Sequence, residues 1–337
     1  MRLLDVMTAP WAIQPDKLTE IRAIYETHMR GEKIDLHDLE ARMWEPLNNE
    51  PPSMEVVNGV AVIPVDGVIA KRMNMLTKIS GGVSTELVTR DVKAALADPS
   101  VKAIVMAIDS PGGSVDGTQE LAQAIFNGRG TKPIIAYADG LMASAAYWIG
   151  SACDKVVMSG ETAAIGSIGI VATHVDVSQA EKQQGVKTTE VVAGKYKRIV
   201  SQYAPLSEAG LQTMQDQVDY VYSVFVNDVA KHRGVTPDVV LKNMADGRIF
   251  FGSQAIEAGL VDGFATLDSL VSALAKGERG WSTSVAVGGV LGLDDAKVAS
   301  DDAADKAIRQ YMAENKVNYK AAVIAVAKER PELFQGR

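Results

Sequence analysis

Two periods of apolar and polar positions alternate along this chain. Val60-Ala61-Val62-Ile63-Pro64-Val65 is a short β-rich run closed by Asp66-Gly67. Thr85 to Ala97 then carries Leu87, Val88, Val92, Ala95 and Leu96 at helical spacing, with Ser84 or Thr85 as cap and Asp98-Pro99 as stop. Val101 to Ile108 is a continuous apolar run between turn residues, the signature of a buried parallel strand. The same reasoning predicts helix over Ser114–Phe126, strand over Pro133–Ala138 and helix over Ala143–Gly150. Strands follow at Val156–Met158 and Ile168–Val171, then helix Val177–Gln184 and strand Lys187–Val192. Ser207 to Arg233 is a long helical pattern (Leu211, Met214, Val218, Val221, Phe225, Val229). A short helix after Thr236-Pro237 follows it, and Ile249 to Ala275 closes the core. Strands and helices alternating at these lengths predict an α/β core with right-handed crossovers.

The flanks differ from this core. Pro15 to Arg30 suits a short amphipathic helix, and Glu50-Pro51-Pro52-Ser53 reads as a linker. Gly288 to Asp305 is rich in Gly, Ala and Asp, and Asp305 to Ala327 returns to helical spacing. The expected organisation is an N-terminal helical appendage and linker (1–53), a catalytic-type domain (54–279), a flexible acidic linker (280–305) and a C-terminal helical segment (306–337). No internal repeat of 20–50 residues is visible.

The balance of charge, 34 basic against 42 acidic residues for a net −8, disfavours nucleic acid as a partner, because phosphate contacts need a basic face. One cysteine, Cys153, allows no internal disulfide, and with four histidines it leaves no Cys/His zinc cluster. No apolar run approaches the roughly 20 residues of a spanning helix, and Met1–Trp11 lacks the apolar core of a secretory signal. The expectation is a protein without a membrane anchor, in a reducing, cytoplasmic compartment.

Three segments could carry chemistry. Asp109-Ser110-Pro111-Gly112-Gly113-Ser114 follows a strand, and its glycines permit a turn that points backbone N–H groups outward at an oxyanion; a plain strand-to-helix turn is the simpler reading of it alone. Met142-Ala143-Ser144-Ala145-Ala146 places a serine among small residues where a strand meets a helix, which is also what an N-cap serine looks like. A nucleophilic serine needs a base. His28 and His37 lie in the appendage, His232 ends the long helix among charged residues, and His174 alone lies in the core, where a structural role is the commoner one. Ala193-Gly194-Lys195-Tyr196-Lys197-Arg198 offers lysines instead, although a solvated basic loop is the usual meaning of such a run. A lysine serves as a neutral base only where burial or neighbouring cations bring its pKa toward neutrality, a cost of about 4–5 kcal/mol.

Taken together these segments resemble the signal peptide peptidase A family of serine–lysine peptidases, which have the ClpP/crotonase-like fold. The matching residues are Val101–Ile108 with Asp109-Ser110-Pro111-Gly112-Gly113, Met142-Ala143-Ser144-Ala145-Ala146-Tyr147, Gly166-Ser167-Ile168-Gly169, Gly194-Lys195-Tyr196-Lys197, and Gly247-Arg248 with Ala255–Gly263. Five modest motifs in order cover roughly residues 56–275. The resemblance implies a repeated β-β-α superhelix with Ser144 as nucleophile and Lys197 as general base, Lys195 being the competitor two positions away. It further implies Gly112 and Gly113 as oxyanion hole, Ser167 orienting the lysine, and a substrate cleft lined by Ile168, Gly169 and Ile170 that takes an extended peptide by strand addition. No metal or organic cofactor is implied.

Cellular members carry a membrane anchor, so the form seen here is more similar to the phage and prophage branch, which includes head-maturation proteases. That branch implies protein substrates (scaffold, portal or capsid proteins, and the protease itself) in the host cytoplasm or prohead. It also implies homo-oligomeric rings in which one site is sometimes completed by neighbouring subunits, with Ser207–Arg233 as an interface unless its apolar stripe is intramolecular core. Rival expectations are a signal-peptide-peptidase-like protease without an anchor, a crotonase-like acyl-CoA enzyme using Asp109, and a scaffolding protein with a decayed site.

Overall fold

A computed structural model describes residues 10–19, 21–22, 53–72, 82–278 and 311. Most of the appendage, its linker, and the predicted C-terminal linker and helix lie outside these residues.

Two sheets carry the described fold. The larger runs through β2 (Glu55–Val57), β3 (Val60–Asp66), β6 (Ala103–Ser110), β8 (Ile134–Ala143), β10 (Ala164–Gly166) and β11 (Ile249–Phe251), and β9 (Lys155–Met158) and β12 (Gly263–Phe264) join it beside β8. Strands β3, β6, β8 and β10 are parallel, while β2 and β11 add antiparallel edges. The smaller sheet has the order β1 (Trp11–Ile13), β7 (Gly112–Ser114), β4 (Val68–Ala70), β5 (Gly82–Ser84).

The large sheet is buried on both faces, and strand alternation sorts its residues. Ile63, Ile104, Met106, Ile108, Ile134 and Ala136 face a core shared with Val88 and Val92 of α1 (Thr85–Ala97), Leu121 and Ile125 of α2 (Thr118–Gly128), and Trp148 of α3 (Ala145–Ser151). Their neighbours in sequence, among them Val60, Ala103, Val105, Ile135 and Tyr137, face Leu270, Val271 and Leu274. In chain order α3 is followed by α4 (Ser178–Gln183), α5 (Glu208–Arg233), α6 (Pro237–Asn243) and α7 (Gly252–Glu257), α5 packing Phe225 and Val229 into the first core, and α8 (Leu267–Ala275) covers the second face.

Ser84 caps α1 by accepting from Leu87 N–H, and Ser207 caps α5 by accepting from Gly210 N–H, as hydroxyls at N-caps do. Three expectations differ. Gly112–Ser114 is a strand, so α2 starts at Thr118 behind Gly117, because Gly113 pairs with Ile69 and with Ala12. Residues 168–170 are not strand, and Val171 alone bridges, to Trp11. Residues 187–192 form no strand, since side chains such as Val191, 95% exposed, have no sheet to pack on. The appendage also supplies strand β1 to the smaller sheet. It lies between Pro10 and Pro15, which keep so short an apolar run from becoming a helix.

His232, which ends the long helix among charged residues, is drawn into the core. It is buried, its Nδ1 lies 3.0 Å from Ser151 Oγ, and its ring packs on Phe126. Burial, with the Arg129 and Lys231 charges beside it, lowers its pKa to about 3. The unfolded chain therefore binds a proton here from about pH 6.5 downward while the folded chain does not. Stability should fall on acidification by about 1.4 kcal/mol per pH unit from this residue, down to its folded pKa. Urea midpoints at pH 7, 5.5 and 4.5 should drop more steeply in the wild type than in His232→Gln; parallel profiles would contradict this.

Candidate active site

Strand β8 changes partner along its length. Ile135–Ala138 pairs with β9, and Leu141–Ala143 pairs with β10 after the exposed Asp139-Gly140 step, where Gly140 has φ +100°. This carries Ala143 alongside Gly166, and Ser144 and Ser167 are the next residues on the two parallel strands. Both serines have positive φ, +56° and +52°, a region L residues avoid. Hydrogen bonds hold both: Ser144 N–H donates to Gly166 O at 2.7 Å, and Ser167 N–H donates to Arg248 O at 2.7 Å. Gly166 itself has φ +114°, and a Cβ there would press on Arg248 O. Among the described residues Asn58 is the other non-glycine with positive φ; strain at two adjacent buried serines is the kind that surrounding structure maintains at functional positions.

Helix α3 behind Ser144 is clamped on both sides. Trp148 stacks on Phe225 of α5 with centroids 4.4 Å apart and donates from Nε1 to Asp228 at 2.9 Å. Tyr147 Oη donates to Leu260 O at 2.9 Å. Ser144 is 1% exposed, and its Oγ lies 3.5 Å from Gly169 O, a long contact that leaves the hydroxyl weakly held.

The glycine turn meets this serine from β6. Ser110 Oγ donates to Gly67 O at 2.6 Å and accepts from Gly112 N–H at 3.2 Å. A Cβ on Gly112, at φ +100°, would lie 3.0 Å from Ser144 Cβ and collide with the Ala12 carbonyl oxygen. Gly112, Gly113, Ser144, Ser167 and Gly169 thus converge. Of the glycine N–H groups, that of Gly112 is engaged by Ser110, a role for Ser110 that sequence reading missed although its motif was in view. Strand alternation turns Asp109 to the other sheet face, where it is exposed and paired in register with Asp66, which removes the carboxylate an acyl-CoA reading would use.

The lysines lie elsewhere in a single chain. Lys195 and Lys197 sit on an exposed loop where Lys197 N–H donates to Gly194 O at 3.0 Å and Lys195 Nζ lies 5.1 Å from the Tyr196 ring. Lys195 and Tyr196 line a surface hollow with Pro10 and Tyr220. Neither lysine is a hydrogen-bond partner of Ser144. His174 Nε2 donates to Ser201 O at 2.9 Å, a structural contact. Cys153 is buried, and burial pushes its thiol pKa far up, so it is an inert apolar side chain. Among the described residues no cluster of His, Cys, Asp and Glu could hold a metal, and no helix is long and apolar enough to cross a membrane.

The model for peptidase family S49 matches residues 128–280, which include Ser144, Ser167 and Lys197. A putative protease of Synechocystis sp. is 31% identical over 203 residues, 60% of this chain and 68% of that protein. The chain belongs to peptidase family S49. Among other S49-like relatives, the head-tail preconnector protein of Enterobacteria phage P21 is 33% identical over 220 residues, 65% of this chain and 43% of its own length. The capsid assembly protease C of Escherichia phage lambda is 32% identical over 210 residues, 62% of this chain and 47% of its own. The chain therefore spans less than half the length of these two S49 relatives.

Proposed function

We propose that this chain is a serine endopeptidase with a ClpP/crotonase-like superhelical core over residues 54–279, flanked by an N-terminal appendage and by a linker and helix after residue 280. It acts on protein substrates during phage head assembly. The observation that carries the catalytic part is the strained, buried Ser144 packed against the glycine turn. Ser144 Oγ attacks a peptide carbonyl, and Lys197 takes its proton and later protonates the leaving amine. The N–H of Gly113 stabilises the oxyanion, with Gly112 shaping the turn, and Ser167 orients the lysine ammonium. Water then hydrolyses the acyl-enzyme.

Since Lys197 is exposed in one chain, the base reaches Ser144 from a neighbouring subunit. Helix α5 supports assembly: Phe225, Val226, Val229 and Ala230 are core, whereas Leu211 and Tyr220 in its first half are 56% and 71% exposed. The assembly role rests on similarity to the two phage relatives, a head-tail preconnector protein and a capsid assembly protease.

The test is labelling with a serine-reactive fluorophosphonate followed by peptide mapping, alongside mass spectrometry of phage scaffold, portal and capsid proteins after incubation. Label on Ser144 and cuts absent from Ser144→Ala are expected. Absence of both would remove the peptidase reading.

A further inference from the structure

The cleft beside Ser144 is already filled by this chain. Strand β1 runs antiparallel to the glycine turn, with Trp11 opposite Ser114, Ala12 opposite Gly113 and Ile13 opposite Gly112. On its other edge Trp11 exchanges two hydrogen bonds with Val171, each 2.9 Å. Gln14 N–H donates to Pro111 O at 3.0 Å. Successive residues of a strand turn their N–H and C=O groups to opposite neighbours. Trp11 faces Val171, so Ala12 faces Gly113, as Gln14 faces Pro111. The Ala12 carbonyl is therefore directed at the glycine turn, where the collision point of a Gly112 Cβ also lies 3.0 Å from Ser144 Cβ.

We propose that residues 10–14 are a tethered peptide ligand of the substrate groove, bound in substrate register with Ala12 as the residue whose carbonyl faces Ser144. Because Ser144 is buried, no second peptide can reach it until this strand leaves. Trp11, Ile13 and Leu18 form a small cluster of their own with Val68, Val171 and Ile21, and of this strand only the small Ala12 reaches the main core. The bound segment also states what the groove accepts. Ala12 is wholly buried against the backbone of the turn, so a small side chain is required there, and bulky apolar residues flank it on both sides. Pro10 also lines a cavity of about 170 Å³ with Ala172, His174, Arg198, Tyr203 and Met214. The substrate class is thus an extended peptide with alanine, glycine or serine before the scissile bond, between apolar neighbours.

This proposal rests on the peptidase reading, and its test separates the two. In full-length Ser144→Ala, hydrogen exchange should show protected amides at 11, 12, 14 and 171. A synthetic peptide Ala-Pro-Trp-Ala-Ile-Gln-Pro-Asp, the sequence of residues 9–16, should lift protection of the tethered strand as it takes the groove. In the otherwise wild-type chain, Ala12→Arg should expel the strand and lower KM for a small-residue peptide by about tenfold or more with kcat little changed, because an occluded site raises apparent KM by the reciprocal of its open fraction. Unprotected amides at 11, 12 and 14, or an active Ala12→Arg enzyme with unchanged KM, overturns the proposal while leaving the peptidase reading intact. Absence of cleavage and of Ser144 labelling in both enzymes removes the peptidase reading instead, and the exchange data still decide whether the groove is occupied.

Discussion

Ser144→Ala should cut peptide hydrolysis by about four to six orders of magnitude, the scale at which a nucleophile acting as a unit with its base is lost. Ser144→Gly should be equally inactive but more stable. The native φ of +56° is disfavoured for any residue with a Cβ, at a cost of about 1–3 kcal/mol, and glycine relieves it. Part of that relief is offset by the entropy glycine adds to the unfolded chain, about 0.5–1 kcal/mol. A net gain of roughly 1 kcal/mol over Ser144→Ala in urea unfolding is expected. Equal stability would mean that the junction of β8 and α3 holds no strain, and retained hydrolysis in Ser144→Ala would assign the nucleophile elsewhere. The pair of variants matters because activity and stability move in opposite directions, which a general packing defect would not produce.

The second large effect concerns the base. Lys197→Met should lower the rate by about two to four orders of magnitude, the usual range for losing a positioned acid–base group. Lys195→Met should stay close to wild type. Both side chains are exposed in one chain, so neither change should alter folding stability by more than about 0.5 kcal/mol. A rate loss in Lys197→Met can then be read as chemistry. Mixing inactive Ser144→Ala with inactive Lys197→Met, after dissociation and reassembly, should restore hydrolysis, because some interfaces then join an intact serine to an intact lysine. Failure to complement, with each variant folded and assembled, would place both groups in the same subunit's site. If Lys195→Met proves inactive and Lys197→Met active, the roles exchange.

Much of this was legible in the residues because it is local. The apolar run at 103–108 sits in β6, and the helical spacing of 85–97 and 208–233 is reproduced by α1 and α5 with their capping serines. At Ser144 and at Gly112-Gly113 a capping serine and a plain turn are the simpler local readings, and the structure brings Gly112 against Ser144. Less was legible where a feature depended on a distant partner. Ile168–Val171 looks like a strand by composition, yet only Val171 bridges, because the partner is the short segment at Trp11 rather than a full strand. His232 looks solvated by its neighbours in sequence, and is buried because Phe126 and Ser151 close over it from two other helices.

By itself the amino-acid order determined the α/β class and the main helices and offered Ser144 and the Gly112-Gly113 turn as candidates, since periodicity, caps and turn residues act within a few positions of each other. Tertiary structure alone decided that Ser144 and Ser167 stand side by side with left-handed backbones, and that Trp11–Ile13 lies across them. Those arrangements come from hydrogen bonds between segments far apart in the chain, Ser144 to Gly166, Ser167 to Arg248 and Trp11 to Val171. A three-residue strand has too little local preference to announce such a place; it is held there only by partners that folding brings to it.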